Sequence, residues 1–172
     1  PWDASSWSMA PNSSASSSNS DEEEFLTSLR RVSVIAGGVL GQTGIETAEL
    51  LKSVCSQIKP AGIIAVDALA CSDISRLGTT VQISDSGISP GSGVSNSRKE
   101  ISEKIFGIPV IAIGVPTVVD MYTIVNSMTD CKPDKNIPNM IVTPRDIDRL
   151  TERASQLIAY GINLALQPNL TL

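Results

Sequence analysis

The chain has 172 residues, 41% of them hydrophobic, and 18 acidic side chains against 13 basic ones give a formal charge of −5. That is enough for one domain with a hydrophobic core, and the charge argues against a general nucleic-acid binder. No histidine is present, which excludes histidine triads, histidine zinc ligands and histidine proton shuttles within the chain and leaves acid–base chemistry to Asp, Glu, Lys, Tyr or Cys.

The cysteines, Cys55, Cys71 and Cys131, fit no tight metal motif and are expected as reduced thiols. No apolar run approaches the roughly 20 residues of a membrane helix. A secretory signal with a basic start is also absent. A soluble cytoplasmic protein without a membrane or nucleic-acid partner is the expectation.

Residues 1–20 are serine-rich and of low complexity, so a disordered tail or the remnant of something removed is expected there, followed by a single α/β domain over 21–172. The acidic run Asp21–Glu24 favours a helix start ahead of Phe25, Leu26 and Leu29. Val32–Ala36 reads as a short strand. The glycines from Gly37 to Gly44 lack both the Gly-Lys-Ser/Thr ending of a nucleotide loop and the dinucleotide fingerprint. A phosphate cradle stands there beside close backbone approach or the wall of a peptide cleft. Thr43 with Glu46 reads as a capping box for a helix over 45–58, which Lys59-Pro60 ends.

Residues 61–66 are apolar throughout, as in a strand buried on both faces, and they run into Asp67. Ala68–Cys71 reads as a small-residue turn or short helix. Val81–Ile83 alternates like an edge or half-exposed strand, and 84–99 is a long Ser/Gly loop. Residues 101–106 suit a short helical or extended piece. Val110–Val115 is a second apolar strand. Pro116-Thr117 then opens a helix over 118–128, which would place Thr117 and Asp120 near the sheet edge that holds Asp67. A polar link, 129–138, precedes Thr143-Pro144, read as the N-cap and first residue of a final helix over 144–166. The fold class is α/β, an open and mostly parallel sheet with helices on both faces.

Peptide hydrolysis by carboxylates needs one acid ionised to activate water and one protonated to donate. Asp67, at the end of an apolar strand, suits one member, and the bland alternative is a cap on the following turn. Asp85 and Asp120 are the candidates for a second acid or for organising a cleft. Thr79, Thr80, Gln82, Ser84 and the Ser92-Gly93 backbone are candidates for holding an extended peptide, against ordinary turn hydrogen bonding. Arg98, with Lys99, could meet acidic substrate residues or be solvated. Asp67, Asp73 and Asp85 match no cation-loop spacing, and no metal or cofactor is assigned. Cys71 has no histidine to activate it.

Four stretches carry a family resemblance: 38–49 (GVLGQTGIETAE), the Asp67–Ala70 strand end, 79–99 (TTVQISDSGISPGSGVSNSRK) and 107–120 (GIPVIAIGVPTVVD). They look like the germination protease family of spore-forming bacteria, as does 142–166, together covering roughly 130 residues in family order. The resemblance implies an α/β fold of the hydrogenase-maturation-protease kind and an atypical aspartic endopeptidase that cuts small acid-soluble spore proteins in the forespore or spore core. It also implies a self-processed zymogen, a homotetramer, and Asp67 as one of two catalytic acids. The family's other acid lies in a Pro-Asp-Ala-Leu-Gly-Pro context that this chain does not contain. Ser89 stands where the family commonly has His, and Cys71-Ser72 where Ala-Arg is usual. A truncated or divergent domain, or a non-catalytic relative or fragment that keeps a peptide cleft, is therefore the competing expectation.

Overall fold

The computed structural model describes residues 19–37, 45–91, 99–129, 136 and 138–167. The serine-rich stretch 1–18, the Gly38–Gly44 loop with Thr43, and Ser92, Gly93, Arg98 and Cys131 lie outside the described residues. The described residues fall into two compact units, 19–33 with 161–167, and those between 34 and 160.

In the first unit, α1 (Asn19–Ser28) begins just ahead of the acidic run, as a helix macrodipole favours. The Arg30 N–H donates to Gln167 Oε1 at 2.7 Å, and Gln167 Nε2 returns a bond to the Arg30 carbonyl at 2.7 Å. The strand expected at 32–36 is not formed. A β-branched run becomes a strand only where a neighbour supplies a ladder.

The second unit is built on one long strand. β1 (Ile63–Cys71) runs parallel to β3 (Val110–Asp120), from Ile63 opposite Val110 to Cys71 opposite Val119. The other edge of β3 pairs antiparallel with β2 (Gln82–Ser84) and, further along, with β4 (Ile141–Val142). The sheet is open, with its long pairing parallel and its two short pairings antiparallel. Among the described residues β1 has no second strand partner, so it is an edge strand rather than the central one.

Helices cover the sheet unequally. Side chains alternate between faces along a strand. On the face that also carries Ala112, Ile63, Ala65 and Val110 pack with Ala48 and Leu51 of α2 (Thr47–Ile58), and with Ile101 and Phe106 at the two ends of the segment holding the short α3 (Glu103–Phe106). Here Val110 is 2% exposed and Ala112 6%. On the opposite face Ile83 is 70% exposed, Val66 53% and Ile111 44%. The last helix, α5 (Ile147–Leu166), borders that face near Val115, which is 8% exposed.

Several sequence-derived boundaries move, for tertiary reasons. β1 continues through Ala68–Cys71, where a turn or short helix was expected, because β3 keeps offering a ladder. β3 likewise runs through Pro116-Thr117 to Asp120 instead of giving way to a helix at 118. The register shifts by one residue at Thr117, a bulge that absorbs the missing proline N–H. The next helix, α4, is therefore Met121–Met128. α2 starts at Thr47, with Glu46 at the N-cap position but making no capping hydrogen bond. Thr143 does not cap α5; its hydroxyl donates to the Thr117 carbonyl at 3.0 Å. α2 ends as expected at Lys59, whose backbone turns left-handed (φ 46°) and whose N–H closes on the Cys55 carbonyl.

Candidate functional site

Asp67 is the fifth of the nine residues of β1, not its terminus. The sequence run was read as ending at the first charge. An edge strand can carry a charge mid-length because the side chain is only half-buried there. Asp67 stands opposite Gly114, which stands opposite Gln82, so the three share a row and a sheet face. Gly114 is needed in that row: a Cβ there would run into the side chain of Leu69, which lies across it. Asp67 thus sits on the covered face, beyond Ile63 and Ala65 of the core.

The two candidate partners lie apart from it. Asp120 is six residues further along β3 than Gly114, about 20 Å at a strand's rise. Its carboxylate is the N-cap of α4: Oδ1 accepts from the Thr123 N–H at 3.0 Å and from Asn139 Nδ2 at 3.1 Å, and Oδ2 accepts from the Thr123 hydroxyl at 2.5 Å. Burial pushes its pKa up, but the bonds from Thr123 and Asn139 outweigh it and hold the carboxyl below the ordinary aspartate value. Asp85 lies on the bend after β2, two strands across and three residues along, about 14 Å away by strand spacing and rise.

The substrate candidates divide. Gln82 and Ser84 are on the Asp67 face, exposed, at the β2 edge. The Ser84 hydroxyl lies 2.6 Å from that of Ser86 and accepts from the Ser86 N–H. Thr79 and Thr80 lie on the other side of the sheet, with Val115, and their hydroxyls bond the preceding turn: Thr79 Oγ1 to the Ser75 carbonyl at 2.8 Å and Thr80 Oγ1 to that of Arg76 at 3.4 Å. Lys99 is held by Glu49, with Glu46 at 3.7 Å, and the Glu49 carboxyl is lowered by its bond to Lys99.

The turn after β1 is locally built. Asp73 caps a 3-10 turn over Ile74–Arg76, accepting from the Ser75 hydroxyl at 2.8 Å and the Ser75 N–H at 3.0 Å. Those bonds lower its pKa. The Cys71 thiol is buried and donates to the Asp73 carbonyl; Cys71 and Cys55 are both free thiols. Among the described residues no three His, Cys, Asp or Glu side chains converge as metal ligands, so Asp67, Asp73 and Asp85 do not form a common site. No described helix is long and apolar enough to cross a membrane.

A groove that sequence reading missed lies on the far side of the sheet from Asp67. It holds about 340 Å³ between the 78–81 turn and α5, with Val115 in its lining. Gly78 makes it possible: its φ of +67° suits glycine, its N–H donates to the Pro116 carbonyl at 2.7 Å, and a Cβ would meet Leu150. The signal was present as Arg149 and Arg153, one helical turn apart beside the apolar stripe Leu150, Ala154 and Leu157.

Comparison with known proteins bears on residues across most of the second unit. A family model described as germination protease matches residues 19–131. A germination protease of Clostridium perfringens (strain SM101 / Type A) is 44% identical over 178 residues, covering 84% of this chain and 55% of that protein. One from Caldanaerobacter subterraneus subsp. tengcongensis is 43% identical over 181 residues, 86% of this chain and 56% of its own length. One from Bacillus subtilis (strain 168) is 56% identical over 101 residues, 59% of this chain and 27% of its own length. The chain spans just over half the length of the clostridial relative. With the family model matching well over half of its residues, the chain belongs to the germination protease family.

Proposed function

We propose that the chain carries one half of the active site of an aspartic-type endopeptidase that hydrolyses peptide bonds of small acid-soluble spore proteins during germination. Asp67 supplies one carboxylate of a pair. One member of such a pair, ionised, takes a proton from water as it attacks the scissile carbonyl; the other, protonated, donates to the carbonyl oxygen and then to the leaving amine. The observation that carries the proposal is the position of Asp67: half-buried, mid-strand, on the one long strand whose outer edge has no strand partner among the described residues. An incoming extended backbone could pair with that edge and bring its carbonyl, or a second carboxylate, level with Asp67. Within one chain, strand register puts Asp85 and Asp120 about 14 and 20 Å from it, which supports a second acid from elsewhere. Gln82 and Ser84 are the substrate-binding candidates on the Asp67 face, and Ser92, Gly93 and Arg98 keep that role as proposals.

The test is cleavage of an acid-soluble spore protein by the parent chain and by Asp67→Asn. Loss of about a hundredfold or more in rate is expected for a carboxylate in acid–base catalysis; equal rates remove Asp67 from the chemistry. The separation of Asp67 from Asp85 and Asp120 favours a second reading, a non-catalytic relative or fragment that retains the scaffold. A parent chain that binds the spore protein without cutting it would establish that reading. A zymogen form, a homotetramer and a place in the forespore or spore core belong to the same proposal. The half-exposed Val66, Ile83 and Ile111 support self-association, which sedimentation of the chain would measure.

A further inference from the structure

The groove between the 78–81 turn and α5 has a composition that the Asp67 chemistry does not use. Along its length Val81, Leu150 and Leu157 offer apolar surface over a floor formed by the buried Val115; Val81 is 40% exposed and Leu157 63%. Two guanidinium groups, Arg149 and Arg153, stand beside it on adjacent turns of α5. Asp146, also in the lining, holds Arg149 at 2.8 Å. Arg153 makes no contact ion pair within 4 Å among the described residues, but at longer range it adds to the hydrogen bond from Arg149 in lowering the Asp146 carboxyl pKa. The rim therefore carries one net positive charge on a chain whose formal charge is −5.

From Asp146 to Leu157 the helix advances about 16 Å, the span of roughly five extended residues. Val115 and Gly114 are adjacent on β3, so their sides of the sheet are opposite, and the groove faces away from the side of Asp67. We propose that this groove is a docking site for an acidic, extended polypeptide segment of a protein partner, with a carboxylate on Arg153 and neighbouring apolar side chains along Val81, Leu150 and Leu157. Its occupant is not the segment being cut, because the sheet lies between the groove and Asp67. A single net charge is too little for a nucleic-acid backbone, whose binding rests on neutralising several phosphates. The apolar lining favours a polypeptide, which brings side chains to bury as well as a charge.

Fluorescence anisotropy tests the proposal without requiring cleavage. The probes are a labelled ten-residue peptide alternating Glu and Leu, its Gln-for-Glu counterpart and a labelled DNA duplex of similar charge. The Glu peptide is expected to bind the parent chain about fivefold or more tighter than the Gln peptide, as a partly exposed ion pair allows. Arg153→Gln should bring the two peptides level, Arg153→Lys should keep part of the difference, and Leu157→Asp should weaken both. Asp67→Asn should leave binding unchanged, so failure of the Asp67 proposal and failure of this one give different results. Equal binding of the Glu peptide by the parent and Arg153→Gln overturns the proposal. So does equal binding of the two peptides by the parent, or DNA binding that is tighter than the Glu peptide and lost in Arg153→Gln.

Discussion

The two faces of the β1–β3 pair have similar sequences and different fates. Ile63, Ala65, Val110 and Ala112 point to one side and Ile64, Val66, Ile111 and Ile113 to the other, all of them apolar. On the first side Val110 and Ala112 are buried, Val110 against Ala48 of α2 and Ile101; on the second Val66 and Ile111 are half-exposed. An apolar run on a strand states that both faces would gain from being covered, about 25 cal/mol per Å². It does not state what covers them. Among the described residues one face is covered by the chain itself, and the other is half-exposed at Val66 and Ile111 but buried at Val115, where the groove and α5 border it.

The contrast can be broken most sharply at Gly114. Gly114→Val pushes into Leu69 on the covered face, and overpacking there should cost about 3 kcal/mol, read as a lower urea midpoint at unchanged slope. If stability is unchanged, Leu69 does not lie across Gly114 and the row containing Asp67 is arranged differently. Val110→Ala removes two methyl groups from the tightest part of the same face, and about 2 kcal/mol should go with them.

A smaller effect belongs to Asp120, at the end of β3. Asp120→Ala removes the cap of α4 and should cost about 1 kcal/mol. The sign of the pH dependence follows from its lowered carboxyl pKa. Its contribution is present above the unfolded-state value of about 4 and is lost as pH falls through the lower folded value. Denaturation curves of the parent and the variant should therefore converge in acid; curves that stay parallel throughout would show that the charge contributes nothing. At dilutions where the chain does not self-associate, the least effect is expected on the open face, where Ile83→Thr should change stability by less than about 0.5 kcal/mol. A larger loss, especially one that grows with protein concentration, would mean that this face is covered in solution.

Much of this was legible in the sequence, and the misses share a cause. The α2 stripe, its stop at Lys59, the final helix and the two long apolar strands follow from periodicity and turn residues, which are local. The ends of β1 and β3 were misjudged because Asp67 and Pro116-Thr117 look like stops in isolation. In the sheet each strand extends the other past those residues. The capping roles of Thr43 and Thr143 were inferred from spacing. Thr143 instead bonds the Thr117 carbonyl, 26 residues away in sequence, which spacing cannot reveal. Asp120 was read as a candidate acid or cleft organiser and is placed as a helix cap, where two local donors from Thr123 and one from Asn139, 19 residues away, reach it.

By itself the amino-acid order determined the α/β class and excluded histidine chemistry within these 172 residues. These depend on residue identity and on patterns within a few turns of chain. Only the tertiary structure decided that Asp67 lies mid-strand on an edge, that Asp85 and Asp120 are remote from it, and that Thr79 and Thr80 belong with Arg153 on the opposite face. Those relations are set by strand register and by which face a helix covers. Both depend on contacts between residues far apart in the chain, which local propensity does not encode.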